Sequence, residues 1–134
     1  MQKITRAFSA PHEELGITIF ERLIDEHPQN GVVKKRYKRF CYEWVTYRLL
    51  TRENIDEDIL KRCLRLQKIA VALEPDDPQA MASLAYFLVR LNKFNEAIAA
   101  IQNAIQLDPD DAAFRKTLEL YQELQNRSKI IDDS

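Results

Sequence analysis

The densest chemical feature of the chain is Lys34-Lys35-Arg36-Tyr37-Lys38-Arg39, five positive charges in six residues. Such a run attracts carboxylates and phosphates, and binding releases the counterions that surround a polyanion. At the helical repeat, Lys34, Lys35, Lys38 and Arg39 fall on the face away from Tyr37, Phe40 and Trp44, so the run is a basic stripe backed by an apolar one. An acidic partner segment, nucleic acid, a nuclear import receptor and plain solvent are the four environments that suit it. One basic helix face on a chain of net charge −1 favours the acidic segment and solvent over nucleic acid, and an ordered helix presents an import signal poorly.

Elsewhere the chemistry-bearing residue types are scattered. His12 and His27 stand fifteen apart with no HExxH or CxxC, so no metal or cofactor is expected. The acidic clusters Glu74-Pro75-Asp76-Asp77 and Asp108-Pro109-Asp110-Asp111 lack the alternating oxygen ligands of a calcium loop and read as helix N-caps. Glycine occurs only at 16 and 31, which leaves no Gly-rich phosphate loop, and no G-x-S-x-G elbow occurs. The expected catalytic set is therefore empty, and the chain is not expected to be an enzyme. Cys41 and Cys63 lie within apolar helical patterns; without an apolar signal core they read as reduced core thiols of a cytoplasmic protein. No apolar run is long enough to span a bilayer.

These residues must be positioned by helices. The 134 residues suit one domain, with 1–10 and 129–134 expected to be flexible, and do not favour a two-domain enzyme. Two glycines are too few for most sheet and loop architectures, so the expected class is all-α. Neutrality conceals an asymmetry: residues 1–52 hold ten basic and six acidic residues (+4), and 53–134 hold ten and fifteen (−5).

Prolines and capping residues divide the chain into about six helices. Ser9-Ala10-Pro11 opens a first one with Leu15, Ile19, Leu23 and Ile24 as its apolar stripe, closed by His27-Pro28 and a left-handed Gly31. A second, about twenty residues long, aligns Val33, Tyr37, Phe40, Trp44 and Tyr47. Asn54 and Glu57 suggest a capping box for a third, with Leu60, Cys63, Leu66, Ala70 and Leu73 inward. Asp77 caps a fourth with Pro78 at its first position and Leu84, Leu88 and Leu91 following; a fifth turns Ala97, Ile98, Ile101, Ala104 and Ile105 inward. Asp111 caps a sixth, lined by Phe114, Leu118 and Tyr121.

Three helices end alike, LIDEHPQN, VALEPDD and IQLDPDD, with Pro28, Pro75 and Pro109 separated by 47 and 34 residues. Within Pro78 to Asp111, the residues Met81, Leu84, Ala85, Leu88, Ala97, Ile101, Ala104 and Pro109 occupy the eight pattern positions of the tetratricopeptide repeat, and the segment resembles one complete repeat of that family. Ala85 and Ala97 are small where paired helices approach, and Leu84, Leu88 and Ile101 fill the flanks. Residues 53–77 resemble the second helix of a preceding repeat 13 residues too long, which implies an elongated hairpin at about 31–74; partial repeats flank both.

The resemblance implies antiparallel helix pairs stacked as a short right-handed solenoid whose concave groove takes a peptide or helix of a partner protein. It places Lys35, Arg39, Tyr42, Gln79, Ala82, Tyr86, Val89, Arg90 and Lys116 in that groove. The carboxylate clamp of heat-shock co-chaperones is not implied: Lys35, Arg39, Ser83, Ala113 and Thr117 stand at its positions and only the lysine matches. An adaptor or dedicated chaperone, similar to the type III secretion chaperones of this repeat class, is the implied function. A structural subunit or homodimer that assembles through the long hairpin and the exposed stack ends is the alternative.

Overall fold

The computed structural model describes residues 10–51 and 54–133; Ser9, Ser134 and most of the expected flexible N-terminal segment lie outside them. Among the described residues six helices account for the regular structure: α1 (Ala10–Glu26), α2 (Gly31–Thr51), α3 (Glu57–Leu73), α4 (Pro78–Arg90), α5 (Phe94–Leu107) and α6 (Ala112–Asp133). No strand occurs among the described residues. α6 continues through the segment expected to fray, as far as Asp133.

Local chemistry sets the helix boundaries. Asp77 Oδ1 accepts from the backbone N–H groups of Gln79 and Ala80 at 3.0 and 3.3 Å, and Asp111 Oδ1 accepts from Ala113 at 2.9 Å. The same turn closes all three proline-containing helix ends. Backbone N–H of Asn30, Asp77 and Asp111 donates to the carbonyl three residues back, of His27, Glu74 and Asp108, at 3.0–3.3 Å. Asn30 is accordingly the cap of α2, its Oδ1 accepting from Val32 and Val33 at 3.0 and 3.2 Å.

Two expected boundaries are corrected by these contacts. Gly31 does not take a left-handed conformation: no glycine has positive φ, and Gly31 is the first residue of α2. The cap of α3 is Asp56, which accepts from Ile59 N–H at 2.9 Å, and not Asn54. Among the described residues the one with positive φ is Asn92, at 62°, in the turn after α4. There Lys93 N–H donates to Leu88 and Asn92 N–H to Val89, at 2.9 and 3.0 Å, which is the Schellman arrangement with asparagine in the place glycine usually takes.

The chain divides into two compact units between Ile55 and Asp56. In the first, α1 packs against α2. Their core is aromatic. Phe20 stacks on Tyr37 with ring centroids 4.9 Å apart and meets Phe40 at 5.4 Å, while Trp44 takes an edge-on position 6.2 Å from Phe40. Glu21 accepts a 2.7 Å hydrogen bond from the Tyr37 hydroxyl. Gly16 makes the approach possible: a Cβ there would lie 2.4 Å from Phe40 Cζ.

The expected apolar stripe of α1 is corrected here. Leu15 and Ile19 remain 57% and 49% exposed, and the inward face is Glu13, Gly16, Ile17 and Phe20. The glycine contact with Phe40 fixes the helix rotation, and that rotation carries the Leu15–Ile19 stripe away from the core. Glu13 is buried because it pairs with the equally buried Arg48, whose guanidinium also lies 5.1 Å from the Trp44 ring. Nη1 of Arg48 has no partner among the described residues.

In the second unit, α3 packs on α4, α4 on α5 and α5 on α6, each through a turn short enough to make neighbours antiparallel. Ala70, Ala80, Ala85, Ala97, Ala100 and Ala104 are buried at the contacts, and Leu60, Leu66, Leu88 and Ile101 fill the spaces between. Gln67, also buried, donates from Nε2 to the Ala80 carbonyl at 3.1 Å and so fixes α3 to the first turn of α4. α2 has 21 residues and α3 has 17, against 13 for α4 and 14 for α5, and the boundary between the two units falls between α2 and α3, inside the elongated hairpin expected at about 31–74.

Candidate functional site

α4 spends most of its surface on the core, yet one aromatic points elsewhere. Ala80, Ala85, Phe87, Leu88 and Val89 are buried, whereas Tyr86 is 39% exposed. Its position is fixed from two sides. Arg90, one turn later, donates from Nη1 to the Tyr86 hydroxyl at 2.8 Å and lies 5.7 Å from its ring, and Phe87 packs edge-on at 5.3 Å. A tyrosine held in one geometry presents both a ring and a hydroxyl at low further entropic cost, as binding anchors do.

Burial, and after it the charge of Tyr86, raises the pKa of the Tyr121 hydroxyl on α6 above its ordinary 10.0. On α6 the buried residues are Phe114 and Tyr121, Thr117 is half-buried, and Lys116 and Leu120 are exposed. Leu120 is 51% exposed. It stands 34 residues after Tyr86 and Lys116 stands 34 after Ala82, so both helices present equivalent repeat positions.

Among the residues expected to contact a partner, Gln79, Arg90 and Lys116 are exposed and Ala82 is half-buried beside Tyr86. Val89 is different: at 8% exposure it belongs to the core and underlies the face instead of lining it. Its place next to Arg90 on the surface is ruled out by the helix rotation that buries Ala85 and Leu88. Leu120 was not evident from residue type, because one leucine among the apolar positions of a helix looks like core; the 34-residue offset from Tyr86 is the signal that marks it.

On α2, described by itself, Lys35 and Arg39 are exposed and Tyr42 is half-buried under the Lys38 ammonium, 5.7 Å from its ring. Arg39 pairs with Glu43 at 3.1 Å. Lys34, Lys35 and Arg36 have no carboxylate partner among the described residues. Within the basic run Lys35, Arg36 and Arg39 are exposed, and Lys34 and Lys38 are half-buried.

No group of three or more histidine, cysteine, aspartate or glutamate side chains converges as a metal site among the described residues. No described helix is long and apolar enough to cross a membrane. Cys41 and Cys63 are both buried and unbridged. Burial, then the carboxylates of Glu13 and Glu21, pushes the Cys41 thiol up to about 12, which removes it as a nucleophile near neutral pH.

Comparison with known proteins bears on the second unit. The family model for the tetratricopeptide repeat matches residues 60–121, from the first turn of α3 to the middle of α6. No curated protein matches the chain.

Proposed function

Since residues 60–121 belong to the tetratricopeptide-repeat family, whose members are in general protein-interaction modules, we propose that this chain is a non-catalytic cytoplasmic adaptor or dedicated chaperone that holds a segment of one partner protein against α4 and α6. One observation carries the reading: Tyr86 is held outward by Arg90 on a helix whose neighbouring side chains are buried. Gln79, Ala82, Arg90 and Lys116 are the other contact residues of this reading. The exposed Lys35 and Arg39 on α2, with Tyr42 beside them, offer a separate attraction for an acidic stretch of the same partner.

Affinity purification from the native host with wild type and with Tyr86→Ala/Arg90→Glu tests this reading. The expected outcome is one dominant partner that the double variant loses. Recovery of the same partner by both proteins sinks it.

A second reading, self-assembly as a homodimer or structural subunit, is favoured by exposed leucine and isoleucine on the first unit, namely Leu15, Ile19 and Leu50. The outer flank of α6 argues against assembly at that end of the stack. Arg115, Glu119, Gln122 and Asn126 all lie there exposed, a polar surface of the kind that terminates helical repeats. Sedimentation of a monomer at high micromolar concentration removes the second reading.

A further inference from the structure

Three turns of the chain are built alike, and one differs from the others in its chemistry. Pro28-Gln29-Asn30, Pro75-Asp76-Asp77 and Pro109-Asp110-Asp111 each end on a residue whose backbone N–H donates three residues back and whose side chain caps the next helix. Two of these caps are the aspartates Asp77 and Asp111; the third is Asn30, and the residue after it is Gly31. Of the asparagines at 30, 54, 92, 95, 103 and 126, Asn30 alone precedes a glycine. Both residues of the pair are exposed, and a Cβ built on Gly31 would meet nothing within 4 Å. Gly31 is the first residue of α2, so its N–H has no carbonyl to bond within the helix. Asn30 Oδ1 meanwhile accepts from Val32 and Val33 N–H at 3.0 and 3.2 Å.

We propose that Asn30 is a site of spontaneous deamidation, in which the Gly31 backbone nitrogen attacks the Asn30 side-chain amide and the cap of α2 becomes a carboxylate. A base of the solvent takes the Gly31 N–H proton, the nitrogen bonds to Asn30 Cγ, and the Cγ–Nδ2 bond breaks to release ammonia, leaving a five-membered succinimide. Water then opens the ring. Cleavage of the new bond to Cγ gives aspartate, and cleavage of the original peptide bond gives isoaspartate; either way one water is consumed and one ammonia released. Three features of the site favour the attack. Glycine places no side chain in the path of its own nitrogen. Its N–H is not committed to a bond within α2. As Oδ1 gains negative charge, the Val32 and Val33 N–H groups that already donate to it stabilise that charge, as oxyanion-hole donors do. The fold also suits the aspartate product. A carboxylate at position 30 keeps the acceptor oxygen, as Asp77 and Asp111 do in the equivalent turns, and it faces a first turn of α2 that contains no acidic residue. Modification lowers the +4 charge of residues 1–52 by one, four residues before Lys34, and does not depend on what the chain binds.

Incubation of the full chain at mildly alkaline pH, followed by peptide mapping with mass spectrometry, tests this. The peptide that spans Asn30 is expected to convert to aspartate and isoaspartate before any peptide carrying another asparagine. Gly31→Ala is expected to lose that preference; its methyl group enters open space, so the fold is kept, which circular dichroism checks. Asn30→Asp is expected to melt no lower than wild type and to elute from an anion exchanger together with the aspartate form of the aged protein. Conversion in denaturant but not in the folded chain overturns the inference, because the cap then protects Asn30. Earlier conversion at another asparagine, or a Gly31→Ala chain that converts as fast as wild type, overturns it as well. A lower melting temperature for Asn30→Asp overturns the claim that the turn accommodates the product.

Discussion

The two units bury their interiors by opposite means. In the first, Phe20, Tyr37, Phe40 and Trp44 interlock, with a buried Glu13–Arg48 pair beside them and one glycine at the closest approach. In the second, six buried alanines set the spacing of four helices and leucine and isoleucine fill the gaps. Small residues at repeated positions define a backbone distance that every helix pair can share, so the arrangement can be stacked. Interlocked rings define one pair only, since each ring fits the shape of its particular neighbours. This contrast also accounts for the reach of the family match, which lies wholly within the second unit.

The comparison can be tested hardest at the buried ion pair. Arg48→Ala leaves Glu13 buried without its counter-charge and is expected to destabilise by about 3–5 kcal/mol in chemical denaturation, whereas Glu13→Leu/Arg48→Met costs far less. Similar losses in the single and double variants would show that the pair is not what organises the first unit.

The next largest effect is a pH dependence. Folding keeps the Cys41 thiol protonated up to about 12, against 9.0 for an unperturbed cysteine. Above pH 9.0 the unfolded chain has released a proton that the folded chain retains. This group's stabilising contribution is therefore complete below pH 9.0 and is lost as the pH rises from 9.0 toward 12. The melting temperature is expected to fall more steeply across this window in wild type than in Cys41→Ala, and iodoacetamide at pH 9 to label Cys41 only after denaturant is added. Equal labelling with and without denaturant contradicts this.

Gly16→Ala probes the close contact of the first unit. A methyl group against Phe40 costs about 1–3 kcal/mol of overpacking, less about 1 kcal/mol regained from helix propensity, for a net destabilisation of roughly 1 kcal/mol. Phe40→Leu in the same chain is expected to relieve it, giving a coupling visible in a double-mutant cycle. The smallest effect belongs to the second unit. Asn92→Gly places a residue without a Cβ at φ 62° and is expected to raise stability by a few tenths of a kcal/mol, measured as a small increase in melting temperature. A loss of stability there would mean that the asparagine side chain has a role in the turn.

Legibility follows the same division. The repeat pattern of the second unit could be read residue by residue, since Ala85, Leu88, Ala97, Ile101 and Ala104 are buried as their spacing implies, and Asp77 and Asp111 cap as expected. In the first unit, spacing pointed to Leu15 and Ile19 as core, and the contact of Phe40 with Gly16 decided otherwise. Arg48 was invisible as a core residue because a charge is buried only when a partner is supplied, and that partner, Glu13, comes from another helix. At α3, Asn54 and Asp56 are both good capping residues; the start of the helix at Glu57 selects Asp56. Of the residues proposed to contact a partner, Tyr86 is exposed and Val89 buried, because adjacent helix positions differ by 100° in direction, and spacing alone does not set which of them a neighbouring helix covers.

The sequence by itself determined the helical class, the three proline turns and the core of the second unit. Each depends on local backbone chemistry or on a period that every copy of the pattern repeats. Only the tertiary structure decided which stripe of α1 faces inward, why Glu13 and Arg48 lie in the interior, and that Tyr86 and Leu120 stand exposed on their helices. Burial is set by the surface that a neighbouring helix presents, and no single helix carries that information in its own residues.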